Sequence, residues 1–230
     1  DFRQPIEALL THAFWQDGEA LKLPALDGLT ILTARPDGAP VPVTDIAEAY
    51  AHDDAGVDDA HAAVGPETLG KILFTSGSTS HPKAVRTTHR MMCVNQTQLA
   101  DCFPLMRAKP MKIVDWLPWN HVFGGSHNVN MMLSHGGTLT IDSGKPTGRG
   151  FATTLKNRTD RPGTLAFNVP VGWNMLVDAI KDDPATQEHL FKDQQLLFYA
   201  GASLPQDVWE ALEQFCLRAR GGLPRSPTAV

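Results

Sequence analysis

Residues 71–83 read KILFTSGSTSHPK, an apolar run followed by a loop of hydroxyl side chains with one glycine and one lysine. The apolar run predicts a strand at Lys71–Thr75, and a second strand is predicted at Ala84–Thr88. Hydroxyl and backbone N–H groups in a tight loop form an anion-binding concavity, to which Lys83 adds a mobile positive charge. The Walker pattern (GxxxxGK followed by Ser or Thr) is absent. The stretch therefore predicts either a polyphosphate site outside the ordinary P-loop class or a plain Ser/Thr turn.

Beyond Thr88, short apolar runs alternate with stretches of helical periodicity. Strands are predicted at Ile113–Trp116, Thr138–Ile141, Thr164–Phe167 and Leu196–Ala200. Helices are predicted at Arg90–Cys102, Val122–His135, Phe151–Arg158, Trp173–Ile180 and Gln206–Arg220. This alternation predicts an α/β fold with a mostly parallel sheet that helices cover on both faces. Ligands of such sheets bind beyond the carboxyl ends of the strands.

The residues before Gly70 carry weaker patterns. Apolar residues at helical spacing predict a helix at Pro5–Trp15, a short apolar run predicts a strand at Leu29–Ala34, and a weak helix is predicted at Thr44–Tyr50. Residues 52–65 are acidic and alanine-rich, which favours a solvated linker over a calcium loop. We expect part of a preceding subdomain and the linker over residues 1–65, an α/β core over 66–220 and a frayed tail over 221–230.

Composition excludes several classes of protein. The chain has 230 residues, with 20 Lys and Arg against 25 Asp and Glu, so its formal net charge is −5. No basic excess indicates a nucleic-acid partner, and no apolar run approaches the roughly 20 residues that a membrane span needs. The 3 cysteines are far apart, which argues against a disulfide scaffold or zinc site and favours the reducing cytoplasm.

Two further segments place small or ionisable residues directly after predicted strands. Residues 116–125, WLPWNHVFGG, put His121 at the start of a helix, where an anion is favoured; a capping or core histidine is the alternative. Residues 198–205, FYAGASLP, put Gly201 and Ala202 where a flat base could approach the main chain. A plain strand-to-helix turn is the alternative for this second segment.

The three segments together resemble, in order, the signatures of the adenylate-forming enzymes, which include acyl-CoA synthetases, luciferases and peptide-synthetase adenylation domains. The first segment departs from the family pattern at Ser80 and Ala84, where the family normally has glycine. The resemblance covers Gly70–Arg220, and it implies part of the large N-terminal domain of that fold. The segments closest to feruloyl-CoA synthases are DWLPWNHVFGG, GGTLTIDSGKP, FNVPVGWNMLV and LLFYAGASLPQDVW.

The resemblance implies a two-step reaction. An aromatic, hydroxycinnamic-type carboxylate attacks ATP to give an acyl-adenylate, and the thiol of coenzyme A then takes the acyl group. The implied cofactors and co-substrates are ATP, Mg²⁺ and coenzyme A. A cytoplasmic enzyme with a small-molecule substrate is expected, with no nucleic acid or membrane span, and a homodimer stays open for a full-length enzyme.

The resemblance also implies roles for individual residues. His121 would lie beside the reacting carboxylate, and Lys83 would hold phosphate; both are the implied catalytic residues. Thr79 would contact the metal. The implied ATP-binding residues are Thr75, Ser76, Gly77, Ser78, Thr79, Lys83, Gly201, Ala202 and Ser203. The implied acyl pocket comprises His121, Phe123, Gly124, Val169, Pro170 and Trp173.

Several parts of the family's apparatus do not occur in this sequence. They include a Tyr-Gly-x-Thr-Glu motif and the C-terminal domain with its catalytic lysine. Because the chain also starts at Asp1, we expect an internal fragment that does not turn over alone. A non-catalytic nucleotide- or acyl-binding module is the main alternative, and a phosphotransferase using Lys83 is a third interpretation.

Overall fold

The computed structural model describes residues 8–11, 30–33, 36–37, 39, 41–51, 54–75, 83–108 and 110–222. The chain divides into two compact units, and the boundary along the sequence falls between Val64 and Gly65. The predicted loop residues 76–82 and the tail residues 223–230 lie outside the described residues. The assignment of a subdomain, a core and a tail stays a prediction.

The first unit contains a small parallel sheet. Its strands are β1 (Ala8–Thr11), β2 (Thr30–Thr33) and β3 (Thr44–Asp45), in the order β1–β2–β3. The predicted strand at Leu29–Ala34 is confirmed at β2. The predicted helix at Pro5–Trp15 is wrong at Ala8–Thr11, because these residues pair in register with β2 and their backbone groups belong to a ladder.

Two short helices follow in the same unit. In α1 (Ile46–Ala49) the Asp45 carboxylate accepts a hydrogen bond from the Ala47 N–H at 2.9 Å, a typical N-cap. The second helix, α2 (Val57–Ala62), lies inside the stretch predicted as a linker and has no buried residue. Gly56 adopts a left-handed φ of 88° before it, and acidic residues in its first turn favour the helix.

The second unit begins with an antiparallel hairpin. Strands β4 (Leu69–Thr75) and β5 (Lys83–Thr88) pair so that Thr75 lies opposite Lys83. Helix α3 (His89–Cys102) continues directly from β5, capped by the Thr88 hydroxyl, which accepts from the Met91 N–H at 3.3 Å. Helix α4 (Leu105–Ala108) follows.

The rest of the unit consists of parallel strands with helical crossovers. The elements are β6 (Met111–Asp115), a π-helix (Val122–Val129), α5 (Asn130–His135), β7 (Gly137–Ile141), α6 (Phe151–Asp160), β8 (Leu165–Asn168), α7 (Pro170–Ile180), α8 (Pro184–Phe191), β9 (Leu196–Tyr199) and α9 (Gln206–Arg220). The pair β6–β7 is parallel, and so is the pair β8–β9.

The two parallel pairs lie side by side. At the start of the inner strands the Thr164 N–H donates to the Lys112 carbonyl at 2.8 Å, and at their ends the Trp116 Nε1–H donates to Asn168 Oδ1 at 3.2 Å. Strands β6 and β8 therefore run in the same direction. As a result, all four strands end at one edge, where parallel sheets bind ligands.

Helices cover both faces of these strands. Leu165, Phe167, Leu196 and Phe198 pack in a core with residues of α4 and α5, including Met106 and Met131. The intervening Ala166 and Leu197 pack on the opposite face, in a core with Trp173, Phe191 and Phe215 from α7, α8 and α9. The alternation follows from the two-residue period of a strand.

The predicted α/β class with mostly parallel, helix-covered strands is confirmed, and the β4–β5 hairpin is its antiparallel part. Helix α9 has the predicted bounds. The helix predicted at Val122–His135 is instead a π-helix that becomes α-helical at Asn130. Helices α4 and α8 were not predicted.

Candidate functional site

The hairpin holds the two ends of the predicted phosphate loop together. Thr75 ends β4 and Lys83 begins β5, and the antiparallel ladder places them opposite each other. Lys83 is exposed where the chain returns to the strand. The predicted binding residues Ser76, Gly77, Ser78 and Thr79 lie outside the described residues. The fixed ends are what a compact anion-binding loop requires.

One of the two departures from the family pattern, at Ala84, causes no backbone strain. Ala84 pairs with Phe74 in regular antiparallel strand. No described residue other than glycine has a positive φ, so this position does not need glycine. Ser80, the other departure, lies outside the described residues.

A cavity of about 550 Å³ lies between the hairpin, α3 and the turn that carries His121. Its wall is mixed: apolar side chains come mainly from the hairpin and α3, and polar ones mainly from α3 and the turn. The lining residues are Leu73, Phe74, Val85, Thr87, Met91, Met92, Asn95, Asn120, His121, Val122 and Ser126. His121 thus shares one cavity with the hairpin of the predicted phosphate loop.

His121 is the N-cap of the π-helix. Its Nδ1 accepts a hydrogen bond from the Phe123 N–H at 3.2 Å. A neutral ring in this arrangement must carry its proton on Nε2, which makes Nε2–H a donor. The side chain is exposed, so this donor is available to an anion at the carboxyl end of β6.

Two glycines determine where this turn lies. A Cβ at Gly124 would overlap the Pro118 carbonyl oxygen, and a Cβ at Gly125 would overlap that of Trp119. The Gly125 N–H also donates to the His121 carbonyl at 2.8 Å. Glycine is needed at both positions because the π-helix packs directly on the backbone of the turn. The predicted pocket residue Gly124 is itself buried.

A buried polar network, which the sequence patterns did not reveal, supports the turn that carries His121. Asp115 accepts hydrogen bonds from the Leu117 N–H at 3.1 Å and from Asn128 Nδ2 at 3.0 Å. Asn128 Oδ1 lies 2.8 Å from His127 Nδ1. Burial raises the pKa of the Asp115 carboxyl and lowers the pKa of the His127 imidazole. The only sequence clue to this network is a run of polar residues in an otherwise apolar helix.

A second buried acidic group follows β7. Asp142 accepts hydrogen bonds from the Gly144 N–H at 2.8 Å, the Thr154 hydroxyl at 2.6 Å and Asn157 Nδ2 at 2.8 Å. The buried Arg158 guanidinium lies 5.6 Å from the centre of the Trp173 ring. Burial lowers the pKa of Arg158 to about 10, against the opposing effect of the Asp142 charge. These contacts fix the turn that joins β7 to α6.

Phe123 belongs to an aromatic cluster at the same end of the strands. His127 lies next to three phenylalanines, with ring centroids 5.8 Å from Phe123, 5.1 Å from Phe167 and 5.3 Å from Phe198. Phe167 and Phe198 are buried, whereas Phe123 is only partly buried. Phe123 is therefore the most accessible of the three phenylalanines.

The predicted pocket residues on α7 lie at different depths. Val169, the N-cap of the helix, and Pro170, its first residue, are partly buried at the carboxyl end of β8. Trp173 is only 1% exposed, and its Nε1–H donates to the Phe198 carbonyl at 3.2 Å. Val169 and Pro170 are accessible from the strand edge, but Trp173 belongs to the core, which does not favour direct substrate contact.

The predicted adenine-binding segment follows β9. Gly201, Ala202 and Ser203 are exposed, and Gly201 has a φ of 95°, which an L side chain rarely adopts. The position of a Cβ on Gly201 would be 3.9 Å from Val169 Cγ1. Gly201 therefore lies beside Val169, and the segments after β8 and β9 meet at one edge.

Metal-ligating side chains are dispersed within the described part of the chain, where no group of three or more His, Cys, Asp or Glu is placed to hold an ion. The predicted metal contact Thr79 lies outside the described residues. Cys93, Cys102 and Cys216 are all free thiols. Among the described helices, none is long and apolar enough to cross a membrane.

Comparison with known proteins identifies a matching family and a similar curated protein. The profile of the family described as AMP-binding enzyme matches residues 7–221. The 3-hydroxybenzoate–CoA/4-hydroxybenzoate–CoA ligase of Thauera aromatica is 26% identical over 227 residues. That match covers 97% of this chain and 40% of the relative.

Solved structures share the fold. A malonyl-CoA ligase in a ternary product complex with methylmalonyl-CoA and AMP has a TM-score of 0.57 and 21% identity, covering 90% of this chain and 39% of that one. ATP-bound MatB from Rhodopseudomonas palustris has a TM-score of 0.61 and 20% identity, and the match covers 96% of this chain and 40% of that one. The chain thus spans about 40% of the length of the curated relative and of these two structures.

Proposed function

The chain belongs to the AMP-binding enzyme family, and we propose that it provides the nucleotide- and acid-binding part of an acid–thiol ligase acting on an aromatic, hydroxycinnamic-type carboxylate. The reaction would form an acyl-adenylate from the acid and ATP, and then a thioester with coenzyme A. The observation that carries the proposal is that His121 and the hairpin of the Thr75–Lys83 loop border one cavity. The aromatic hydroxybenzoate ligase relative supports the acid class.

The hairpin and the turn would provide positive charge and donors for the reacting phosphate. The loop between Thr75 and Lys83 would bind the β- and γ-phosphates through its hydroxyl and N–H groups, with the Lys83 ammonium as the mobile charge. Mg²⁺, when bound, would neutralise phosphate charge, with Thr79 as its contact on this chain. Charge neutralisation and positioning are the main contributions a protein makes to phosphoryl chemistry.

His121 would act on the carboxylate. The Phe123 N–H occupies Nδ1, so the exposed Nε2–H is the group that could donate to a carboxylate or phosphate oxygen. The buried Asp115 and the two glycines of the π-helix hold the turn in place, so His121 starts from a defined position. Such preorganisation lowers the reorganisation needed during the reaction.

The carboxylic acid substrate and the adenine of ATP would both lie at the carboxyl edge of the strands. We assign the aromatic ring of the acid to the partly buried apolar residues Phe123 and Val169, and the adenine to the segment Gly201–Ser203. The left-handed Gly201 leaves no side chain between the main chain and a flat ring. Trp173 would support this pocket from the core without touching the acid.

Titration calorimetry of the 230-residue chain with ATP·Mg and then 4-hydroxycinnamate tests the proposal. We expect ATP binding in wild type and a loss of about ten-fold or more in Lys83→Ala, because a charge-assisted contact to phosphate is removed. Lys192→Ala is the matched control, since Lys192 is an exposed lysine after α8. Equal ATP affinity in the two variants would contradict the assigned role of Lys83.

A non-catalytic nucleotide- or acyl-binding module is the second candidate, and the departure at Ser80 from the family pattern favours it. The two candidates differ in the product. Pyrophosphate release with trapping of the acyl-adenylate by hydroxylamine supports a ligase. ATP and acid binding without release of pyrophosphate supports the binding module.

A further inference from the structure

The aromatic cluster around His127 contains a hydrogen-bond acceptor without a donor among the described residues. His127 Nε2 is buried and, within the described residues, has no hydrogen-bond partner. Its neighbours are the rings of Phe123, Phe167 and Phe198, which cannot donate a conventional hydrogen bond. A buried polar atom without a partner is uncommon in native proteins, and it often marks a ligand or a functional role.

The polar network determines which atom of the ring carries the proton. The Asp115 carboxylate can only accept, so Asn128 must direct its NH₂ group to Asp115 and its Oδ1 to His127. His127 Nδ1 therefore donates to Asn128 Oδ1. Because burial favours the neutral ring, Nε2 is left with a lone pair and acts as an acceptor.

The position of this acceptor matches the space assigned to the acid. Phe123 lies one turn before His127 on the π-helix, and Phe123 is one of the partly buried residues that pack on this core at the carboxyl ends of the strands, with Trp116, Val169 and Ala200. The Phe123 ring contacts His127, with ring centroids 5.8 Å apart, so an aromatic acid that took the place of the Phe123 ring would lie next to His127. His121 accepts the Phe123 N–H, and the carboxylate of such an acid would lie on the His121 side.

We propose that His127 Nε2 accepts a hydrogen bond from a hydroxyl group on the ring of the acid, so that His127 determines the specificity for hydroxylated over non-hydroxylated aromatic acids. The inference rests on the proposed function, because it assumes that the aromatic acid binds at this edge. Phe123 turns aside to admit the ring. The Asp115–Asn128 pair acts as a positioning element, since it keeps the lone pair of Nε2 directed into the pocket.

A pair of nearly isosteric ligands tests the proposal. The 230-residue chain, saturated with ATP·Mg, is titrated with 4-hydroxycinnamate and with 4-fluorocinnamate, which lacks the donor but has a similar size. We expect wild type to prefer the hydroxylated acid by about ten-fold or more, the discrimination that a buried acceptor left unpaired provides. His127→Phe keeps a flat ring in the cluster and should remove the preference, whereas His127→Gln provides an amide oxygen and should restore part of it.

The possible outcomes distinguish a failure of the proposed role of His127 from a failure of the proposed function. If wild type binds both acids equally, or if His127→Phe keeps the wild-type preference, the role of His127 is wrong while the proposed function stands. If wild type binds neither acid, the proposed function fails and this inference fails with it. Phe123→Leu is the control for general pocket damage, and it should weaken both acids by a similar factor. The comparison of the two acids in wild type needs no variant, so misfolding of a variant leaves the test intact.

Discussion

Strand β8 and the β4–β5 hairpin both contain apolar residues, but their surroundings differ. Every residue of Leu165–Asn168 in β8 is buried between helices on two faces. In the hairpin, Phe74 is 70% exposed and Val85 is 45% exposed, and both border the open cavity. Apolar residues therefore form strands in both places, but of the two regions only β8 contributes to the buried core of the described residues. The hairpin keeps apolar surface available on the side where His121 lies.

This difference indicates that the buried strands determine stability, whereas the hairpin is available for ligand binding. The buried strands and their helices carry the packing energy, and their carboxyl ends are held by hydrogen bonds such as that from Trp116 to Asn168. The hairpin contributes fewer buried side chains, so its apolar residues remain exposed for a ligand. Substitutions in the two regions should differ accordingly.

The largest effect is expected in the core on α7. Trp173→Ala removes a side chain that is 1% exposed and leaves the Phe198 carbonyl without its indole donor, so we expect a loss of about 3–5 kcal/mol in the free energy of unfolding. Val171→Ala, on the exposed side of the same helix, should change it by less than about 0.5 kcal/mol. Urea unfolding followed by circular dichroism measures both. Similar losses in the two variants would show that α7 is not packed as described.

The next effect concerns the turn that carries His121. Gly125→Ala would force a Cβ into the Trp119 carbonyl oxygen, so we expect a loss of about 1–3 kcal/mol and a displaced His121. Gly148→Ala is the control, because a Cβ there meets nothing within 4 Å. Thermal unfolding reports the stability, and the NMR chemical shifts of the His121 ring report the displacement. An unchanged melting temperature in Gly125→Ala would contradict the close packing of the π-helix.

A smaller effect should appear as a pH dependence of stability. Burial lowers the pKa of His127 below its ordinary value of 6.5, so the unfolded chain binds a proton at a higher pH than the folded chain. Unfolding then takes up a proton, and the contribution of His127 to stability is lost as the pH falls from about 6.5 through the folded pKa. His127→Phe should therefore lose less stability than wild type on acidification. His61→Gln, at an exposed histidine in α2, is the control and should keep the wild-type dependence of the free energy of unfolding on pH. If wild type and His127→Phe show the same dependence, His127 is not buried as a neutral ring.

The smallest effect is expected in the hairpin. Phe74→Ala should change the free energy of unfolding by less than about 0.5 kcal/mol, because most of this side chain already contacts solvent. Phe167→Ala, in buried β8, should cost about 3–5 kcal/mol. Parallel urea titrations compare the same chemical change in the two regions. If Phe74→Ala were as destabilising as Phe167→Ala, the contrast between hairpin and core would be wrong.

Local patterns predicted most elements of the second unit but not every one. Helix α9 was predictable because Pro205 precedes it and Gly221 ends it in a left-handed conformation. Helix α8 was missed, although Asp183 followed by Pro184 and Thr186 is an N-cap pattern that could have revealed it. At Ala8–Thr11 the apolar spacing fits a helix equally well, and only pairing with β2 decides for a strand.

Residues of the candidate site were predictable where their place follows from the strand that precedes them in the sequence. His121 and Gly201 each follow a strand, so their place at the carboxyl edge follows from the alternation of strands and helices. The Asp115–Asn128–His127 network was not predictable, because it depends on which side chains of the π-helix face the end of β6. The burial of Trp173 likewise depends on packing between α7 and α9, which no local pattern records.

The change from π-helix to α-helix at Asn130 makes segment length a determinant of the site. A π turn holds more residues than an α turn, so a π segment is equivalent to a helix that has gained a residue without growing longer. Deleting one residue within Val122–Val129 would therefore allow ordinary α-helix over the same length, so that α5, with the buried Met131 and Met132, and the turn before the segment both keep their places. The side chains inside the segment would not keep their directions, because an α residue advances about 100° around the helix axis and a π residue advances less. The contacts of His127 and Asn128 at the end of β6 therefore depend on the π conformation of this segment.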